Sequence, residues 1–323
     1  MKAAIVTEGG VRVADVPMPK PGPEEVLVRV RAAGLNRADL GVAAGKAHGA
    51  IGGAGTIIGL EFAGEVAEVG SAVRGVKPGD RVMCSGAGGY AEYAVAHRGR
   101  VVPVPDANMG WVEAATLPIA LQTMHDAVVT NGGLKPGEAV MIQGASSGVG
   151  LMAMQIAKLK GARFVIGTST NAARRARLAE FGADLAVDTG EAEWPEKVLA
   201  ATDGKGVDLI IDQVSASVAN GNLKAAAILG RIVNVGRLGG TRGDFNFDLH
   251  AMKRISYIGV TFRTRSLAEV AAIVERMQAD LWDAVVARKL TVPLDRTFTL
   301  DEAPDALKYM DANQHFGKIV LTT

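Results

Sequence analysis

Residues 143–161 read "QGASSGVGLMAMQIAKLKG", a short glycine-studded turn that runs directly into an amphipathic stretch. An apolar run, "EAVMIQGA" (138–145), precedes the turn, and a second, "RFVIGTS" (163–169), begins about 20 residues downstream, the spacing of a strand–turn–helix–strand unit. Set against G-x-G-x-x-G, the segment puts Ala145, Ser147 and Gly150 at the three glycine positions and adds Gly148. Small residues there let the backbone approach a pyrophosphate, while the helix start offers unpaired amides and the positive end of its dipole. Ala145, Ser146, Ser147, Gly148, Val149 and Gly150 are therefore the expected phosphate-binding segment, with Gly150 letting the helix lie close to the strand. The same residues also suit a tight strand–helix connection with no ligand.

From about residue 136 onward the rhythm is strand, helix, strand, helix. "VDLIIDQV" (207–214) and "GRIVNVG" (230–236) are further apolar runs of strand length, and helical stretches at 171–182 and 193–204 separate the runs. This alternation predicts a doubly wound parallel sheet of Rossmann type, with helices on both faces. Upstream, "KAAIVT", "EVLVRVRAAGL", "GEVAEVG", "DRVMCS" and "YAEYAVAH" are short β segments punctuated by Pro-Gly and Gly-Asp. The fold class is thus α/β: a barrel-like β domain over 1–119, then the parallel-sheet domain over 120–262. A long helical stretch (266–290) and a β-like ending, "FGKIVLTT" (316–323), make a last segment, 263–323, expected to return to the first domain. The glycine-rich run "GKAHGAIGGAGTIIG" (45–59) reads as a flexible loop.

At 323 residues the chain is long for one hydrophobic core, so two domains are expected. A net charge of +1, with both signs interleaved, gives no electrostatic reason for a nucleic-acid or membrane partner. Cys84 is alone, so it forms neither an internal disulfide nor a thiolate zinc site, and a reducing, cytoplasmic location is expected. The first residues read as neither a signal peptide nor a transit peptide, and no run of about 18 uncharged apolar residues occurs.

Which dinucleotide the turn would take is decided at the end of the next strand. An NAD site asks for Asp or Glu there, to accept from the ribose 2′-hydroxyl. Here Thr168, Ser169 and Thr170 occupy that tip, and Arg174 and Arg175 follow within a helical turn. Hydroxyl donors and cations suit a 2′-phosphate. Thr168, Ser169 and Arg174 are therefore expected at the phosphate of NADPH, and Arg177 on a solvated helix face.

"AAGLNRADL", "IIGLEFAGEVAEVG", "VKPGDRVM", "GGYAEYAV", "EAATLPIALQT", "GRIVNVGRLGG" and "FGKIVL" appear in one order with the turn. Together they resemble the zinc-independent quinone oxidoreductases of the medium-chain dehydrogenase/reductase superfamily. "LNRADL" and "GVTFRTRS" are similar to the zeta-crystallin-related, p53-inducible branch in particular. The resemblance runs almost end to end. It implies a GroES-like catalytic domain, an NADPH-binding Rossmann domain with a cleft between them, and a homodimer built by pairing the last Rossmann strand, near "SYIGVTF" (256–262).

The resemblance also implies roles. Asn36 would lie beside the nicotinamide ribose and substrate, and Thr123 near the carboxamide. Phe262 and Arg263 would lie near the cleft, where the guanidinium could stabilise charge growing on a reduced oxygen; ordinary surface salt bridging is the other reading of Arg263. Val235 and Gly236 end a parallel strand, where open sheets place ligands. Lys318 would contact the cofactor or merely solvate a strand end. No metal is expected. Zinc-dependent relatives carry a cysteine ligand near "AAGLNRAD", where this chain has none, and a histidine where it has Leu60.

Two departures stand out. Where the family carries a tyrosine and prolines in the pocket wall, this chain has "AGKAHGAIGGAG" (44–55), which predicts a wider, more mobile entrance with His48 filling part of the gap. Thr189 stands roughly where relatives place a tyrosine near the 2′-phosphate. The resulting expectation is an NADPH-dependent reductase of a small-molecule quinone or α,β-unsaturated carbonyl, by direct hydride transfer. The alternative is a non-catalytic NADPH-binding scaffold or sensor.

Overall fold

Short strands rich in β-branched residues, separated by glycine turns, build the first part of the molecule. The computed structural model describes residues 1–49, 51–105 and 108–323; Ala50, inside the glycine-rich loop, and residues 106–107 lie outside the described residues. The chain divides into two units, Met1–Gln122 with Phe262–Thr323, and Thr123–Thr261.

In the first unit β1 (Lys2–Thr7) and β2 (Gly10–Asp15) form an antiparallel hairpin. The long strand β3 (Glu25–Gly34) pairs with β4 (Glu61–Val69), which pairs in turn with β5 (Arg81–Ser85). Strand β6 (Tyr93–His97) also pairs with β3, and β7 (Val101–Pro103) with β5. Helix α1 (Arg37–Ala43) follows β3 after two residues, and α2 (Trp111–Ala114) and α3 (Pro118–His125) come after β7. The alternating residues Val28, Val30 and Phe62, with Ile58, Cys84 and Tyr90, are buried in one core. Cys84 is fully buried, and loss of solvent pushes its thiol pKa up.

The second unit alternates as its sequence rhythm predicts. Strand β8 (Ala139–Gln143), helix α4 (Gly148–Leu159), β9 (Phe164–Thr168), α5 (Ala172–Arg175) and β10 (Leu185–Val187) make its first half. Helix α6 (Trp194–Ala201), β11 (Val207–Asp212), α7 (Ala219–Ala225), β12 (Ala226–Asn234), α8 (Phe247–Lys253) and β13 (Ser256–Gly259) make the second. The strands lie in the order β10-β9-β8-β11-β12-β13, and all neighbours are parallel. Chain order runs outward from β8 in one direction and from β11 in the other, so the topological switch lies between these two strands. Met141, Ile166, Ile210 and Ile232 are fully buried, as central strands covered on both faces require.

The stretch 171–182 differs from its expectation of one helix. It makes a single α turn, α5, then a 3₁₀ turn at Leu178–Phe181, and stops at Gly182 with φ 96°. Only Leu178 is fully buried there, so no apolar stripe of helical period sustains a longer helix.

After β13 the chain rejoins the first unit with α9 (Leu267–Val286), β14 (Leu294–Thr299), α10 (Ala303–Asp311) and β15 (Lys318–Thr322). Helix α9 opens on a capping box: Ser266 Oγ accepts from the Glu269 amide, and the Glu269 carboxylate accepts from the Ser266 amide. Strand β15 pairs antiparallel with β3 and parallel with β14, which completes a seven-stranded sheet. Among the described residues no helix is long and apolar enough to cross a membrane.

Candidate functional site

The turn after β8 lies at the carboxyl end of a central strand, beside the topological switch, where open parallel sheets bind ligands. Gly144 makes the bend with φ 69°. Ser147 caps α4: its Oγ accepts from the Gly150 amide at 3.1 Å, and its proton has Gly144 O at 3.0 Å and Gln213 Oε1 at 3.1 Å as acceptors. A Cβ on Gly150 would stand 2.6 Å from Gly144 O and 2.7 Å from the Ala145 Cα, so only glycine lets α4 start this close to the turn. The Ala145 amide donates to Thr168 O at 2.9 Å. The amides of Ser146, Gly148 and Val149 have no acceptor among the described residues, which leaves three donors at the start of a 12-residue helix for an anion.

At the tip of β9 the expected residues do different things. Thr168 is buried; its hydroxyl donates to Gln143 Oε1 at 2.8 Å and accepts from the Gly144 amide at 3.1 Å, so it shapes the turn from behind. Ser169 Oγ lies 3.1 Å from Ser146 Oγ and joins the tip to the turn. Arg174 is half-buried, and its amide is capped by Asn171 Oδ1. Its neighbour Arg175 is the cation held across the tip, donating to Ser169 O and to the Asp188 carboxylate, both at 2.8 Å. Asp188 lies just past β10 and is an acid at this tip that motif reading overlooked. The amides of Val235 and Gly236 both donate to Asp212 O, at 2.7 and 3.1 Å, and a Cβ on Gly236 would meet Gln213 O at 2.5 Å. Thr123 is half-buried in α3.

The first unit carries a buried polar cluster. Asn36 follows β3, Glu61 starts β4 and Lys318 starts β15. The Lys318 ammonium donates to Leu35 O at 3.0 Å, to Asn36 Oδ1 at 2.8 Å and to Glu61 Oε1, which uses all three of its protons inside the chain. Asn36 Nδ2 donates to the same Glu61 oxygen at 2.9 Å, and Glu61 Oε2 accepts from the Ile119 amide at 2.8 Å. Both ends of the Asn36 amide are therefore held. Beneath them Asp39 Oδ2 accepts from the Asn36 amide and from Tyr90 Oη, each at 2.7 Å, while Asp39 Oδ1 is buried with no partner. Burial pushes the Asp39 pKa up to about 7, and burial with the Asp39 charge beside it pushes the Tyr90 phenol well up. Glu61, Asp39 and Tyr90 escaped the motif reading. The signal available for them was a polar residue inside an apolar strand context, as in "GLEFAG".

In the same unit His48 joins Ile51 through an isolated bridge, and a Cβ on Gly49 would stand 3.2 Å from Arg263 O. Burial, followed by the Arg263 charge, holds the His48 imidazole below its ordinary range. Arg265 stands 5.7 Å over the Phe262 ring.

Two family models match the chain: "Alcohol dehydrogenase GroES-like domain" over residues 22–106 and "Zinc-binding dehydrogenase" over residues 148–279. A probable oxidoreductase from Mycobacterium abscessus is 31% identical, with 100% of this chain and 99% of that one covered and a TM-score of 0.87. The chain belongs to the medium-chain dehydrogenase/reductase superfamily. Its fold is the GroES-like and Rossmann pair of that superfamily, and its class is oxidoreductase. The quinone oxidoreductase of Pseudomonas syringae is 28% identical over 100% and 99% of the two chains, TM-score 0.87. A mycobacterial member in complex with NADPH is 27% identical over 100% of each chain, TM-score 0.89. An NAD-dependent alcohol dehydrogenase (30%, TM-score 0.85, 100% of each chain) and the CurK enoyl reductase (25%, TM-score 0.86, 99% and 98%) also match. Among curated proteins, a phenolphthiocerol/phthiocerol polyketide synthase component of Mycobacterium tuberculosis is 32% identical over 97% of this chain. The chain spans about 14% of that synthase component's length.

Among the described residues no group of three or more His, Cys, Asp or Glu converges, and the Glu61 carboxylate is already neutralised by Lys318.

Two outcomes follow from the buried cluster. Replacing Lys318 by Met leaves Glu61 charged and unpaired, and urea unfolding is expected to register a loss of about 3–5 kcal/mol. The Asp39 carboxyl has a folded pKa above its unfolded value, so the folded state holds the extra proton and gains stability at low pH. That gain fades as pH rises from about 4 toward about 7. Between pH 5 and pH 8 the wild type is expected to lose roughly 2 kcal/mol or more relative to Asp39→Asn in paired urea titrations.

Proposed function

We propose that the protein is a zinc-independent, NADPH-dependent reductase of quinones or α,β-unsaturated carbonyl compounds, of the zeta-crystallin-related branch. The observation that carries this reading is the pair formed by the open amides of Ser146, Gly148 and Val149 and the carboxylate-free tip Thr168–Ser169–Thr170 with Arg175 across it. The amides suit a pyrophosphate, and the Ser169 hydroxyl with Arg174 and Arg175 suits a 2′-phosphate. Asp188 would compete for Arg175, so a bound 2′-phosphate would share that guanidinium with it.

Bound NADPH would supply the hydride that, with a proton from solvent, reduces a quinone to a hydroquinone or saturates an activated double bond. The chain's own part is to bind and orient. Asn36, its amide locked by Lys318 and Glu61, presents a fixed polar edge to the acceptor; Thr123 serves the carboxamide; Arg263 meets negative charge growing on the reduced oxygen. The enoyl chemistry named for CurK, and the kinship with a polyketide synthase, support conjugated carbonyls as acceptors alongside quinones.

The discriminating assay is loss of NADPH absorbance in the presence of phenanthrenequinone. Turnover with NADPH at least about tenfold better than with NADH is expected, and Arg175→Ala should lower kcat/KM for NADPH by about 10- to 100-fold while leaving NADH unchanged. A clear preference for NADH would defeat the assignment, and tight NADPH binding without turnover would favour a scaffold or sensor.

The same reading makes the protein a cytoplasmic homodimer. Strand β13 is the outer strand of the parallel sheet, and its Tyr257 is exposed, as are Phe247 and Met252 of α8. Light scattering is expected to return twice the chain mass, and Tyr257→Lys to return the chain mass.

A further inference from the structure

Behind the phosphate turn runs a line of polar side chains with no access to solvent. The Gly144 amide donates to Thr168 Oγ1 at 3.1 Å, and the Thr168 hydroxyl donates to Gln143 Oε1 at 2.8 Å. Gln143 Nε2 donates to Asn222 Oδ1 at 2.7 Å, and Asn222 Nδ2 donates to Asp212 Oδ2 at 3.0 Å. Every bond points the same way, from the turn toward the carboxylate. Asp212 ends β11 and faces donors only: its other oxygen accepts from the amides of Val214 and Ser215 at 2.8 and 2.9 Å. Gln143, Asn222 and Asp212 are each 0% exposed.

A second branch meets the first at Gln143. Gln213 Nε2 donates to Gln143 O at 3.2 Å, and Gln213 Oε1 is an acceptor for the Ser147 hydroxyl. Gly144 and Ser147, the two ends of the turn, are thus both tied to one strand-end glutamine. Buried amides are costly to carry and are kept only when each bond is satisfied. A sheet needs no such chain for its own stability, since apolar side chains of that size would fill the same space. What the chain accomplishes locally is to tie the Gly144 amide to Thr168 and fix the bend, while the amides of Ser146, Gly148 and Val149 keep no acceptor among the described residues.

We propose that Gln143 and Asn222 are positioning residues for the dinucleotide turn, acting through a one-way hydrogen-bonded chain that ends on the Asp212 carboxylate. The proposal rests on the reading of that turn as the NADPH site. In a chain anchored on an anion each bond polarises the next, so a cut anywhere along it loosens the turn.

The test is NADPH binding by fluorescence titration, well below the melting temperature, beside steady-state kinetics with phenanthrenequinone. Asn222→Leu leaves Gln143 Nε2 and Asp212 Oδ2 without partners. It is expected to weaken NADPH by about tenfold or more, while KM for the quinone at saturating NADPH stays within about threefold of wild type. The single variants Gln143→Asn and Asn222→Gln should each weaken NADPH, and the exchanged pair Q143N/N222Q, which keeps both amides and the total length, should recover most of the loss. If Asn222→Leu does not fold, Asn222→Ser is read in the same way. A lowered Tm with an unchanged NADPH Kd, or an exchanged pair no better than the sum of its singles, overturns the proposal. A wild type that binds neither coenzyme overturns instead the functional reading beneath it.

Discussion

A single desolvated ammonium joins three distant parts of the first unit. Lys318 opens the last strand, Glu61 opens β4 and Asn36 follows β3, and none of them can leave the cluster without stranding a charge or an amide in the core. The interaction explains why the chain returns to its beginning. Strand β15 must reach β3 for its first residue to find those acceptors, and the antiparallel register of Val320 with Gly34 places it there. The pair is a constraint on geometry more than a source of net stability, because removing two ions from water costs nearly what their attraction returns. Its product is a side-chain amide with one orientation available to it.

The second unit uses the opposite economy of charge. Its sheet is covered on both faces, so ladder hydrogen bonds and apolar packing hold it, and buried polar side chains such as Gln143, Thr168 and Asp212 gather at the carboxyl ends of the strands. At those ends the backbone itself is the functional group. Gly144 bends, Gly150 admits the helix, and Ser147 satisfies one amide while leaving its neighbours open. At the β9 tip the charge is Arg175, tempered by Asp188.

Much of the fold was legible because period and punctuation are local properties. The runs at 138–145, 163–169, 207–214 and 230–236 all became parallel strands, and the small-residue turn between the first two sits at the switch point. The site was legible only as far as motifs reach. Arg174 is the phosphate contact expected from distance along the chain; beside it the structure also holds Arg175 across the tip, on Ser169 O and Asp188, a neighbour that no motif singles out. Thr168 shared the tip with Ser169 in sequence, but strand alternation turns its hydroxyl inward to Gln143. Glu61 and Tyr90 are harder to read for a different reason: Glu61 meets Lys318 and Tyr90 meets Asp39 from far along the chain, and no spacing rule announces such pairs.

The burial of Cys84 bears on durability. Quinones and conjugated carbonyls are electrophiles, and the group in proteins they alkylate most readily is a thiolate. This chain owns one sulfhydryl, places it where no water reaches, and keeps its proton on. The acceptors proposed above would therefore meet no exposed thiol on this chain.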